Sequence, residues 1–313
     1  MHCLRVLAVL VGLLSATLAS AQIDRLVVFG DSLSDVGNIN QSTLGAQPGS
    51  DYYQGRFSNG PLYIDYVAAE LGKPMHHSRD GGLNFAHGGA LTSGTGFPSN
   101  LFIDDLDDQV GDFLAADSPA ADDLLVVWIG GNNIAALTDA GGGSVQPAVD
   151  SLIGDLTRLY NAGGRDFLVP NLPPIGKTPR YNQTTRAALA DSLAGQFNDA
   201  LAASLLAFAG SRPDANVFEL DIDGLFDKIL ANPDRFGLTN VTDPAYNGGS
   251  TVSNPDQYLF WDDFHPTRVA HEGLGQAAIG ALTNLGNRPR RDVPEPAIGG
   301  VLVIFLLSLR RRR

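Results

Sequence analysis

The chain has a single cysteine, Cys3, among its 313 residues. Everything after it lacks a thiol, which excludes disulfides, thiolate metal sites and a cysteine nucleophile from the body. Positive charge is also scarce: 21 Lys and Arg face 34 Asp and Glu, for a formal net charge of −13. Arg5 at the front and Arg310 to Arg313 at the back supply part of that basic complement, so the body between the ends stands near about −17. Such a body is repelled by nucleic acid and by anionic headgroups, and nucleic-acid partners are set aside. No apolar run reaches the ~20 residues of a usual membrane span. There is no H-E-x-x-H or comparable metal-ligand spacing, no Walker loop and no G-x-G-x-x-G, so neither a metal nor a cofactor is expected. The G-x-S-x-G elbow of α/β-hydrolases is missing too.

Both ends read as address labels. Residues 1–21 have the form of a secretory signal peptide: Arg5, an apolar run from Val6 to Leu18, then Ala19-Ser20-Ala21, which makes Gln22 the mature N-terminus. At the other end, Val293-Pro294-Glu295-Pro296 precedes an apolar segment, 297–309, and a basic end, 310–313. This arrangement in 291–313 resembles the PEP-CTERM sorting signal. The resemblance implies a removable tail handled by an exosortase-type protease machinery, with a plain C-terminal anchor as the alternative. Terminal arginines stay cytoplasmic by the positive-inside rule. The body, 22–290, is therefore expected to be exported across the inner membrane to the periplasm, the cell surface or the medium.

Within the body, apolar runs alternate with helical patterns. Leu26 to Phe29, Leu124 to Ile129, Asp166 to Val169 and Val217 to Leu220 read as buried strands. Pro61 to Leu71, Val145 to Tyr160, Thr184 to Ala209 and Thr267 to Leu285 read as helices. This alternation predicts an α/β fold with a parallel sheet covered on both faces. Asn40 to Gly60, Thr92 to Asn100 and Phe236 to Asp256 read as surface loops. Ligands in such folds bind beyond the carboxyl ends of the strands.

The chemistry-bearing residues lie at those ends. Ser32 follows the first strand in Gly30-Asp31-Ser32-Leu33. A serine hydroxyl needs a base, and the base needs an acid to fix its tautomer. Trp261-Asp262-Asp263-Phe264-His265-Pro266 offers both, with Asp262 three residues before His265 and Asp263 two before it. Asn84-Phe85-Ala86-His87-Gly88-Gly89-Ala90 and Gly130-Gly131-Asn132-Asn133 offer donors for an oxyanion. Taken singly, each motif fits a turn or a helix cap. His76 and His77 read as surface-loop residues, His87 as a bystander of the glycines, and His271 as a solvated position on the last helix.

Taken together, in the order Ser, Gly, Asn, Asp-x-x-His, these motifs resemble the GDSL, or SGNH, hydrolase family across about Ile23 to Leu285. Gly55-Arg-Phe-Ser-Asn-Gly-Pro61 and Asn171-Leu-Pro-Pro-Ile-Gly176 support the likeness. The resemblance implies a three-layer α/β/α sandwich of flavodoxin-like type with a five-stranded parallel core. It implies a serine esterase or lipase of the secreted bacterial kind, working through an acyl-enzyme without cofactor. Ser32 is then the nucleophile, His265 the base and Asp262 its orienter. Ser32, Gly89 (or Gly88) and Asn132 form the oxyanion hole. The family's Gly-x-Asn-Asp is here Gly-Gly-Asn132-Asn133, which touches the positioning of Asn132. Expected substrates are acyl esters or lipids. Carbohydrate O-deacetylation is the main alternative, with extracellular polysaccharide as partner, and a silent matrix-binding protein is the remaining one.

Overall fold

The computed structural model describes residues 23–94 and 102–286. The leader, the tail and the middle of the Thr92–Asn100 loop lie outside these residues. The strands are β1 (Leu26–Gly30), β2 (Leu124–Trp128), β3 (Asp166–Pro170) and β4 (Asn216–Leu220), all parallel in the order β1-β2-β3-β4. In the place of a fifth core strand, the short segment 83–87 runs along the free side of β1, joined to it by one bridge between Val28 and Asn84. Val28 N–H donates to Leu83 O, Phe85 N–H to Val28 O and His87 N–H to Gly30 O. Counted with that segment, the sheet reads 2-1-3-4-5 in chain order, the flavodoxin-like order, with its switch point at the end of β1. Ser32 stands at that end.

Why these runs become inner strands is visible in their burial. All five residues of β1 and of β2 are buried, and alternate residues face opposite layers. Val27, Phe29, Leu125, Val127, Phe167 and Val169 join one core, which α3 (Leu106–Ala116), α5 (Gln146–Asn161) and α6 (Ala187–Gly210) cover. Val28, Val126, Trp128 and Leu168 join the other, beneath α2 (Tyr63–Glu70), α7 (Ile222–Ala231) and α8 (Arg268–Gly286). The remaining helices are α1 (Asn38–Ser42) and α4 (Gly131–Asp139). Part of the segment read as the Phe236–Asp256 loop is ordered: β5 (Asn240–Pro244) pairs in parallel with β6 (Tyr258–Phe260), which leads into the Asp262–His265 turn.

The solvated reading of His271 is overturned. The ring is fully buried where α8 crosses α2, and its Nδ1 accepts the Tyr63 N–H at 3.2 Å. Burial drives its pKa down to about 3, so it is a neutral packing residue.

Gly30 ends β1 with φ +152°, and a Cβ there would lie 2.2 Å from Trp128 O. That oxygen belongs to a neighbouring strand and has no room to move. Gly30→Ala is expected to cost about 3 kcal/mol or more, read as a lowered urea midpoint. A change under about 1 kcal/mol would show that the strand end can shift.

Candidate active site

The turn after β6 builds the acid–base pair. Asp262 Oδ1 accepts the N–H groups of Phe264 (2.8 Å) and His265 (2.6 Å), which closes a tight turn around the carboxylate. Trp261 N–H donates to His265 O across the base of this turn. The other carboxylate oxygen, Oδ2, meets His265 Nδ1 at 2.7 Å. With the proton held on Nδ1, Nε2 is left as an acceptor facing Ser32 Oγ at 2.8 Å. Ser32 and Asp262 are 4% and 8% exposed, so the relay lies in a largely dry setting.

Burial alone would raise the Asp262 carboxyl, but His265 and the turn N–H groups outweigh it and bring it down to about 2. Burial likewise disfavours the His265 cation, yet Asp262 prevails and the ring is raised above its ordinary value. Asp31, beside Ser32, is pushed up to about 6 by burial. Asp263 is exposed and only its backbone oxygen is engaged, by Arg180 N–H. The structure thus brings Asp262, not Asp263, to the imidazole.

The stretch 55–61 buttresses the His265 turn. Ser58 Oγ donates to Pro266 O at 2.9 Å, and Arg268 N–H donates to Asn59 Oδ1 at 2.7 Å. Phe57 packs on His265 with ring centroids 5.0 Å apart. Arg56 makes a bidentate pair with Asp65, whose carboxylate also accepts Leu62 N–H at the start of α2.

The oxyanion candidates are tied to the nucleophile loop by buried side chains. Asp35 accepts N–H groups from Gly37, Asn38 and Ile39, and Gly88 N–H at 2.8 Å. The Gly88 donor is therefore occupied. Among the described residues, the N–H groups of Ser32 and Gly89 have no protein acceptor, and Gly89 is solvent-exposed at φ +86°. Asn132 Nδ2 donates to Ala90 O at 2.9 Å, which puts its amide against the Gly89–Ala90 loop. Asn133 grips the same loop. Its Oδ1 accepts Thr92 N–H at 3.1 Å and its Nδ2 donates to Thr92 Oγ1 at 3.3 Å. The amide in place of the usual carboxylate thus still anchors the segment beside Asn132.

His87 is buried within this scaffold. Its Nδ1 donates to Phe85 O and its Nε2 accepts from Arg79. A narrow cavity adjoins Ser32. Leu172, Pro173, Ile175, Phe226, Phe260 and Phe264 make most of its wall apolar.

Sequence reasoning missed Tyr52, whose hydroxyl donates to Asp262 Oδ2 at 2.7 Å, along with Asp35 and Asn38. Asn38 Nδ2 holds Asn84 O and Ala86 O. The available signal was the crowding of Ser34, Asp35, Gly37 and Asn38 directly behind the nucleophile.

Comparison with known proteins places the chain in a family. The family described as GDSL-like Lipase/Acylhydrolase matches residues 26–278. A phosphatidylcholine-sterol acyltransferase of Aeromonas hydrophila is 28% identical over 86% of this chain and 94% of its own. An acetylesterase of Thermothelomyces thermophilus is 30% identical over 82% of this chain and 87% of its own. A crystal structure of a lipolytic G-D-S-L protein from Veillonella parvula covers 83% of this chain and 98% of that one, with 13% identity and a TM-score of 0.48. By the extent of the family match, this chain belongs to the GDSL-like lipase/acylhydrolase family and is a serine carboxylic ester hydrolase.

Proposed function

We propose that the chain cleaves carboxylic esters carrying an apolar acyl chain, by two-step acyl transfer through Ser32. The observation that carries this reading is the hydrogen-bonded series Ser32–His265–Asp262 at the wall of an apolar cavity. As Ser32 Oγ bonds to the carbonyl carbon, His265 Nε2 takes its proton. The carbonyl oxygen becomes an anion facing the Ser32 and Gly89 N–H groups and the Asn132 amide. Collapse breaks the ester C–O bond, and the alcohol leaves with the proton from His265. Water then adds to the acyl-enzyme with His265 again as base, releasing the acid and restoring Ser32.

The cavity wall argues for the longer acyl groups. Each buried methylene is worth ~0.8 kcal/mol, or about fourfold in kcat/KM. p-Nitrophenyl hexanoate or octanoate is thus expected to exceed the acetate by at least about tenfold in kcat/KM. The second reading is deacetylation, with acetylated carbohydrate as substrate; the relative named acetylesterase favours its acetyl part. A preference for acetate in the same series, with release of acetate from acetylated xylan, would replace the first reading by the second.

Labelling by a fluorophosphonate tests the nucleophile. One adduct, mapped by mass to the peptide holding Ser32, is expected. A folded chain that takes no adduct and turns over no ester would instead support a matrix-binding role. Export with removal of 1–21, and sorting through 291–313, complete the proposal. N-terminal sequencing from an expressing host that starts at Met1 with all activity in the cytosol would exclude them.

A further inference from the structure

The geometry points to Tyr52 as a fourth member of the relay, a positioning residue whose hydroxyl holds Asp262 in register with His265; this rests on the Ser32 reading above. Tyr52 and Asp262 are 210 residues apart in the chain, yet the hydroxyl reaches Oδ2 at 2.7 Å. That is the same oxygen which meets His265 Nδ1 at 2.7 Å. The other oxygen is already filled by two turn N–H groups. Every donor around the carboxylate is thereby assigned: two backbone groups fix one oxygen, and Tyr52 and His265 share the other.

The tyrosine is itself held. Its ring meets Trp261 edge-on at 6.1 Å, Tyr246 at 5.8 Å and Phe57 at 6.2 Å, while Tyr246 and Trp261 stack at 5.2 Å. The Tyr246 hydroxyl is anchored in turn on Asp51, the residue preceding Tyr52. Phe57 also packs on the His265 ring. One aromatic cluster therefore carries the acid's extra donor and one face of the base. This is a local feature of the 51–57 segment folding back over the 258–265 segment.

Two consequences follow from the shared oxygen. The hydroxyl prevents the carboxylate from rotating off the imidazole, because turning would break its bond to Tyr52. It also draws part of the negative charge that Asp262 presents to His265. The groups facing His265 are Asp262 and Asp263 on its own turn, Asp31 from the end of β1, and the neutral His271 on α8. Those facing Tyr52 are Asp262, Asp263 and Tyr246. Arg180, whose guanidinium lies over the Phe264 ring, acts on Asp263, so removing the hydroxyl leaves the imidazole before a more negative Asp262 carboxylate. The ring proton is then held more tightly.

The test is Tyr52→Phe in the full chain, compared with the unmodified enzyme and with Tyr246→Phe. Tyr52→Phe is expected to lower kcat on the order of tenfold with little change in KM. The acid limb of kcat/KM should shift upward by several tenths of a pH unit. The low-field proton resonance of His265 Nδ1–H should move, and Tyr246→Phe should leave both readouts near their original values. Loss of activity with an unmoved acid limb and an unmoved resonance would reduce Tyr52 to a packing residue and overturn the assignment. Should Tyr52→Phe fold poorly, 3-fluorotyrosine at position 52, which keeps the ring and makes the hydroxyl a stronger donor to Asp262, must move the acid limb downward, and an unmoved limb overturns the assignment equally. An unmodified enzyme that neither labels nor turns over ester would overturn the Ser32 reading itself. An active one with an unchanged Tyr52→Phe profile would overturn only the role of Tyr52.

Discussion

Ser32→Ala is expected to lower kcat/KM by at least about 10⁴-fold while leaving the urea midpoint within about 0.5 kcal/mol of the parent. The Ser32 hydroxyl has His265 Nε2 as its partner, and the side chain is nearly enclosed. Removing one oxygen there leaves no buried donor stranded, because Nε2 of the neutral ring is an acceptor. Fold and chemistry should therefore separate cleanly. His265→Ala should cost about as much, and the double variant little more than either single one, since groups that act as one unit do not add. Steady-state hydrolysis of a p-nitrophenyl ester checks all three. Retention of more than about 1% of activity by Ser32→Ala would place the nucleophile elsewhere.

Asp262→Asn should be nearly as damaging, by about 10⁴-fold in kcat, for a reason particular to this turn. An asparagine can keep its oxygen toward the Phe264 and His265 N–H groups, and those two bonds hold the amide in that orientation. The NH₂ group then faces the Tyr52 hydroxyl, which can turn to accept from it, and His265 Nδ1, which needs an acceptor there to keep its proton. His265 must carry its proton on Nε2 instead, where it can no longer accept from Ser32. The loss should fall on kcat, with fluorophosphonate labelling slowed to match. A loss below tenfold would mean that the imidazole keeps its tautomer without Asp262.

The parts of this arrangement that were legible in the sequence were those written locally. Leu26 to Phe29 and Leu124 to Ile129 are apolar throughout because both faces of the sheet are covered, and no other element explains so short a run. Asp262 and His265 announce themselves by a spacing that a single turn closes. The segment at 83–87 was not legible, because Asn84 and His87 interrupt its apolar character and its pairing is settled by β1. The burial of His271 was hidden for a similar reason: helical periodicity places a residue on a face, but the crossing with α2 decides whether that face sees water. Tyr52 carries no local signal at all, since its partner lies at the far end of the domain.

The 83–87 segment lies at the margin of the sheet, where an outermost strand usually offers a row of open backbone groups to any passing chain. Here those groups are already taken. Asn84 N–H donates to His76 O and Asn84 O accepts Ser78 N–H. Ala86 N–H goes to the Asn84 side chain, and Asn38 caps both Asn84 O and Ala86 O. The margin of the sheet beside the oxyanion glycines is thus closed to strand addition, so molecules crowded together at high concentration find no template there for edge-to-edge association.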